Sequence, residues 1–94
     1  MLQMLKEDPT NPGSLILRGT AYALQREPEA AIADFTKTIQ SKPSAVEAWR
    51  RRGRAQATLR KFIETIEDLT AALGFEPDSA DILHERDSFF NPSL

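Results

Sequence analysis

Apolar residues along this chain recur at intervals of three and four, and prolines interrupt them at regular points. Ala31, Ile32, Phe35 and Ile39 form one stripe, and Phe62, Ile66, Leu69 and Leu73 form another; this is the spacing that lines one face of a helix. Asn11 followed by Pro12 predicts a helix start, since asparagine caps well and the missing proline N–H costs nothing in a first turn. That helix should run to about Leu24. Pro28 opens a second helix, which closes near Ser41 because Pro43 cannot continue it. Ser44 with Glu47 three residues later predicts a capping box for a third helix over roughly residues 44–59. The fourth carries the Phe62 stripe and should end around Gly74 through a left-handed cap. A fifth starts near Ser79, places Ile82, Leu83 and either Phe89 or Phe90 on its apolar side, and stops at Asn91-Pro92.

The helices repeat. Arg52-Gly53 follows Arg18-Gly19 by 34 residues, and Pro9, Pro43 and Pro77 fall at the same interval. Residues 12–45 laid over 46–79 match Arg18 with Arg52, Gly19 with Gly53, Ala21 with Ala55, Ile32 with Ile66, Asp34 with Asp68 and Thr36 with Thr70, while Leu15 faces Trp49. A period of this length marks a stack of two-helix units, each burying its apolar face against the next. The predicted fold is all-α: an antiparallel helix-turn-helix solenoid of about five helices. Residues 1–11 read as the end of a preceding unit, 12–45 and 46–79 as full repeats, and 80–94 as the first helix of a partial unit with a tail. Gly19 and Gly53 cost about 1 kcal/mol each inside a helix, which close approach of the partner helix would offset. Ala31 serves that contact in the first unit; Thr65 replaces it in the second, predicting looser packing there.

Composition narrows the function. Ninety-four residues make one domain with a modest core. There is no cysteine and only one histidine, so no disulfide, thiolate site or histidine metal cluster is expected, and no cofactor. No apolar run approaches a membrane span and the Met1 to Leu5 segment is too short for a secretory leader; an intracellular setting is expected. The net charge of −2 favours neither nucleic acid nor an anionic membrane. His84 stands among acids on a predicted exposed helix, with no convergent base or nucleophile, so no enzyme activity and no small-molecule substrate are expected.

Trp49, Arg52-Gly53, Ala57, Phe62, Ile66, Leu69, Ala72 and Pro77, with Leu15, Gly19, Tyr22, Ala31, Phe35 and Pro43 in the first unit, resemble the tetratricopeptide-repeat (TPR) consensus. The resemblance covers nearly the whole chain and implies a protein-interaction scaffold or adaptor. Residues 5–9, 18–23, 31–37 and 83–86 further resemble the repeat region of plant adaptors that restrain effector-triggered immunity, and their animal relatives. That likeness implies immune receptors, their regulators or transcription factors as partners, in cytoplasm and nucleus. The chain departs from the family at Asp87, where the third unit should carry glycine.

Arg18, Arg52 and Arg86 share one repeat position, and Asp34 and Asp68 another; each arginine is expected to cross to the acid of its own second helix, because a buried guanidinium needs a partner. Repeat geometry puts Ile16, Leu17, Thr20 and Leu24, then Arg50, Arg51, Arg54 and Thr58, then Asp81, His84 and Glu85 on the concave face. Arg50 and Arg54 project together and suit an acidic peptide or helix; the competing reading is a solvated basic face neutralised by Glu47, Asp81 and Glu85. The family's clamp for chaperone tails needs a basic residue and an asparagine where Ile16 and Thr20 stand, and basic residues where Asp81 and Glu85 stand. Chaperone-tail capture by that mode is therefore not expected. Clustered Arg50, Arg51, Arg52 and Arg54 give RNA binding a weaker claim, without accompanying aromatics. Finally, Met4 and Leu5 at one end and Ile82, Phe89 and Phe90 at the other would be unpaired faces of an uncapped solenoid, which predicts self-association into homo-oligomers.

Overall fold

The computed structural model describes residues 11–90, which form α1 (Pro12–Leu24), α2 (Pro28–Ser41), α3 (Val46–Thr58), α4 (Phe62–Phe75) and α5 (Ala80–Phe90). The expectations for Met4, Leu5, the Phe90 side chain and Asn91-Pro92 lie outside the described residues. Helix α1 starts as its residues require: Asn11 Oδ1 accepts the Ser14 N–H at 3.1 Å and Pro12 occupies the first turn. The turns after α1 and α3 share one conformation. Arg26 and Arg60, at equivalent repeat positions, have φ of 62° and 61°, and the next N–H reaches back in each case, Glu27 to Tyr22 O at 2.8 Å and Lys61 to Gln56 O at 2.9 Å. These bonds satisfy carbonyls that the helix end leaves open.

Two helix ends differ from the sequence reading. Helix α3 is capped by Ala45 without a side-chain hydrogen bond, so the Ser44–Glu47 box does not form; Glu47 is instead engaged by Arg51, whose Nε donates to it at 2.6 Å. The turn is pinned by Trp49, whose indole N–H donates to Pro43 O at 2.8 Å. Helix α4 continues through Gly74 to Phe75, and no described glycine has positive φ. The Glu76 N–H still bonds Ala72 O at 3.0 Å, so helical geometry persists past Gly74 and no left-handed cap forms there.

Neighbouring helices pack in sequence, α1 on α2, α2 on α3, α3 on α4 and α4 on α5. Leu15, Ala31 and Phe35 are buried in the first half, Leu69, Ala72 and Ile82 in the second. The glycines are not equivalent. A Cβ on Gly19 would stand 2.7 Å from the Phe35 ring, whereas on Gly53 it would meet nothing closer than 3.4 Å, at Asp68 Cβ and Thr65 O. Phe35, rather than Ala31, is thus the main partner of Gly19. Thr65 is fully buried and its hydroxyl donates to Gly53 O at 2.7 Å, so a hydrogen bond ties the second seam where looser packing was expected.

Each unit is also tied by an ion pair. Arg18 donates through Nε and Nη2 to the two oxygens of Asp34, both at 2.8 Å, and Arg52 does the same to Asp68, again at 2.8 Å. This two-bond fork is the strong arrangement for guanidinium and carboxylate. The hydrogen bond to Asp34 outweighs desolvation and holds Arg18 above its ordinary pKa. Arg52 also donates to Thr36 Oγ1 of the preceding unit at 3.2 Å, and Arg86 reaches Thr70 Oγ1 at 3.5 Å. The guanidinium of Arg52 lies 5.1 Å from the centre of the Trp49 ring, and that of Arg18 5.8 Å from Tyr22, within cation–π range.

Candidate functional site

Helices α1 and α3 leave an open cavity of about 460 Å³ between them. Thr20 and Ala23 of α1 form one wall, Ala55 and Thr58 of α3 the other, with Pro28 and Phe35 between. Arg26, Arg51 and Arg54 stand at its margin. The lining is therefore mostly apolar with three cationic side chains, the usual make-up of a pocket that buries an anchor and orients it with a few polar groups. Two smaller hollows continue along the same helices. One, of about 260 Å³, is lined by Glu47, Arg50, Arg51 and Arg54; the other, of about 390 Å³, by Ile16, Lys42, Val46 and Glu47.

The predicted groove residues are partly gathered here. Thr20, Arg51 and Arg54 line the main cavity, Arg50 and Ile16 the hollows, but His84 is exposed on α5 and lines none of the three. The Thr20 hydroxyl is committed within its helix, donating to Ile16 O at 2.7 Å. Arg50 and Arg54 converge on a single carboxylate, that of Glu85: Arg54 donates through Nε at 2.5 Å and Nη2 at 3.2 Å, and Arg50 through Nη2 at 3.4 Å. Burial pushes the Glu85 carboxyl up, but the hydrogen bonds and charges of Arg54 and Arg50 outweigh it and hold the group below its ordinary range. The hydrogen bond to Glu85 likewise raises Arg54, against its own desolvation.

Arg26, Ala23 and Ala55 were absent from the groove as read from sequence. A cue existed for Arg26, because the repeat register sets it over Arg60 in the turn after each first helix, but nothing in one dimension aims that turn at a cavity. The proposed end faces are altered too. Ile82 is fully buried against Leu69 and Ala72, and Phe89 is half-buried with its ring centre 5.9 Å from that of Phe62, because α5 docks on α4. Leu17, Leu24, Phe62, Ile63, Phe75 and Leu83 are the exposed large apolar residues among those described, Leu24 and Ile63 most of all. Among the described residues no helix is long and apolar enough to cross a membrane, and no three His, Cys, Asp or Glu side chains are grouped to hold a metal.

No family model matches the chain, and no curated protein matches it. Solved structures do. The first TPR domain of Spaghetti (RPAP3), bound to the HSP90 peptide SRMEEVD, is similar with a TM-score of 0.89 and 25% identity, over 97% of this chain and 72% of that one. The second TPR domain of human RPAP3, in complex with the HSP70 peptide SGPTIEEVD, gives 0.86 and 27%, over 96% and 75%. MamA gives 0.86 and 23%, over 97% of this chain and 53% of its own, so that likeness speaks to fold alone. The chain has the fold of TPR domains, an all-α helical repeat, and the two RPAP3 domains above each hold a peptide of another protein.

Proposed function

We propose that this chain is a protein-interaction module that seats a short segment of a partner in the cavity between α1 and α3. The observation that carries this reading is the apolar cavity with Arg26, Arg51 and Arg54 at its margin. A side chain of leucine or methionine size would enter between Ala23, Phe35 and Ala55, and a flanking acid would meet the marginal guanidinium groups. Arg51 is the more available of the two α3 arginines, because its partner Glu47 is a half-exposed neighbour one turn away, a pair worth only a few tenths of a kcal/mol. The peptides held by the similar TPR domains, SRMEEVD and SGPTIEEVD, combine an apolar residue with acids in this way. Here the acids would be met by other residues than the family's clamp, since Ile16 and Thr20 occupy its first-helix places.

Fluorescence anisotropy with labelled SRMEEVD tests the site. Saturable binding that weakens at least about tenfold, or 1.4 kcal/mol, when exposed Ala23 is changed to Trp supports it. Binding indifferent to Ala23→Trp, in a variant that melts like the wild type, overturns it.

The finer reading, that the partners are immune receptors, their regulators or transcription factors in cytoplasm and nucleus, rests on the likeness of residues 5–9, 18–23, 31–37 and 83–86 to plant immune adaptors. Co-precipitation from plant tissue with and without Ala23→Trp tests it. Self-association draws support from exposed Leu17, Leu24, Ile63 and Leu83; sedimentation velocity over a hundredfold dilution decides it, a constant monomer mass being the adverse result.

A further inference from the structure

Of the four arginines that crowd α3, two give up their outward charge to one acid brought from another helix. Glu85 lies 31 and 35 residues beyond Arg54 and Arg50, so no helical periodicity makes these contacts; the docking of α5 on α4 does. Its carboxylate is largely enclosed, whereas Arg54 remains half-exposed. Arg54 lines the main cavity as well.

Resting on the groove reading above, we propose that Glu85 is an internal competitor for the acidic side chain of the partner, so that Arg50 and Arg54 become available only when α5 yields its carboxylate. The fit of Glu85 to this pair is uneven. It takes two bonds from Arg54 but only a single bond of 3.4 Å from Arg50, at the long limit for a hydrogen bond, and Arg50 Nε has no hydrogen-bond partner among the described residues. A peptide carrying adjacent acids, such as Glu-Glu, offers a separate carboxylate to each arginine and thereby exceeds what Glu85 provides alone. Arg26 and Arg51 at the same margin are not engaged by Glu85 and supply the first electrostatic contact while the exchange takes place. Glu85 remains ionised throughout the physiological range, its charged form being favoured by both arginines, so the competitor is displaced by ligand rather than released by mild acidification.

The test compares wild type, Glu85→Gln and Asp81→Asn, using anisotropy of labelled SRMEEVD at low and high salt. Gln keeps the shape of Glu85 and removes its charge; Asp81→Asn removes the same charge from an exposed position of the same helix. Glu85→Gln should bind about fivefold tighter than wild type, the order expected for not having to break a partly exposed charge-assisted contact, and Asp81→Asn should gain much less. Adding Arg54→Gln to Glu85→Gln should cancel the gain. Equal affinity of wild type and Glu85→Gln overturns the competitor and leaves the groove standing. Equal gains in Glu85→Gln and Asp81→Asn reduce the effect to net charge and overturn it too. Binding by neither protein overturns both the competitor and the acidic-partner reading, while loss of binding confined to Ala23→Trp upholds the groove independently. Should Glu85→Gln melt out early, Arg50→Gln in the native background supplies a second measurement: weakened binding supports the exchange, and unchanged binding overturns it.

Discussion

Changing Asp68 to alanine should destabilise the fold more than the same change at Asp34, although the two acids make the same fork. Asp68 is buried and receives two bonds at 2.8 Å from Arg52. Removing its carboxylate leaves the guanidinium of Arg52, with only 18% of its side chain exposed, facing a space that water enters poorly. Breaking one partner of a fully buried pair costs about 3–5 kcal/mol; Arg52 retains Thr36 Oγ1, the Trp49 face and some solvent, which lowers the expected loss to about 2–3 kcal/mol. Arg18 is 36% exposed and recovers water when Asp34 is lost, so about 1–2 kcal/mol is expected there. In a domain of this size each kcal/mol moves the melting temperature by about 4–8 °C. Asp68→Ala should therefore lower it by roughly 10–20 °C and Asp34→Ala by about half as much. Thermal melting by circular dichroism, with exposed Asp81→Ala as the reference, measures all three. An Asp68→Ala melt indistinguishable from the reference, or an inverted order, would refute the reasoning that solvent access to the orphaned arginine sets the cost. A cycle with Arg52→Met should then show that the double variant is less damaged than the sum of the singles.

The glycines give a contrast of opposite sign. Gly19→Ala drives a methyl into the enclosed Phe35 ring and should destabilise by about 1–3 kcal/mol, whereas Gly53→Ala meets ordinary contact distances and should gain up to about 1 kcal/mol of helix propensity; equal melts for the two variants would contradict this. Thr65→Val keeps the shape but deletes the hydroxyl that bonds Gly53 O and Lys61 O, for an expected loss of about 1–2 kcal/mol in urea unfolding; no change in midpoint would mean that the seam does not depend on it. Arg60→Gly relieves a left-handed residue and should stabilise by up to about 1 kcal/mol, unless the denaturation midpoint falls instead. Glu85, with a folded pKa held below its ordinary value of 4.5, contributes stability that is present above the unfolded value and is lost as pH falls through the lowered one. The melting difference between wild type and Glu85→Gln should hold from neutral pH down to the ordinary carboxylate range and shrink only in more acidic solution; a difference already gone under mildly acidic conditions would place the titration elsewhere.

Helix limits set by covalent chemistry were legible in one dimension: Pro12, Pro28 and Pro43 disfavour a helix interior, and helices begin at Pro12 and Pro28 while α2 ends two residues before Pro43. The Arg18–Asp34 and Arg52–Asp68 forks were legible for a different reason. They recur at one spacing in both units, and a repeat supplies its own second example. Features that depend on a competing partner were not. Ser44 and Glu47 have the spacing of a capping box, but Arg51 stands one turn from Glu47 and offers a charged partner in place of a neutral backbone N–H. Gly74 has the sequence of a cap, but the backbone beyond it still had a helical carbonyl to bond. Ile82 was read as an end face because the packing of α5 on α4 buries it from a direction that the sequence does not record. The cavity is the extreme case, since Arg26 enters it from a turn and Phe35 from another helix.

The arginine cluster on α3 shows how pairing decides between the readings of a basic run. Arg50, Arg51, Arg52 and Arg54 each donate to an acid: Glu85, Glu47, Asp68 and Glu85 again. A phosphate backbone gains affinity by neutralising several cations together and releasing its counterions, so on this surface it would have to break an exposed pair, a buried fork and a shared carboxylate at once. An acidic peptide faces a smaller barrier. It needs one apolar anchor in the cavity, a first contact at Arg26 or at Arg51, whose pair with Glu47 is weak, and a single exchange with Glu85. Arg52 is withheld from either ligand by the buried fork with Asp68, which can be given up only at a cost to the stability of the unit that holds the site. The four arginines thus divide into one that holds the units together and three that face the groove, and a salt titration of peptide binding should reflect the second group alone: Arg52→Lys should alter the melting temperature while leaving the salt slope in place.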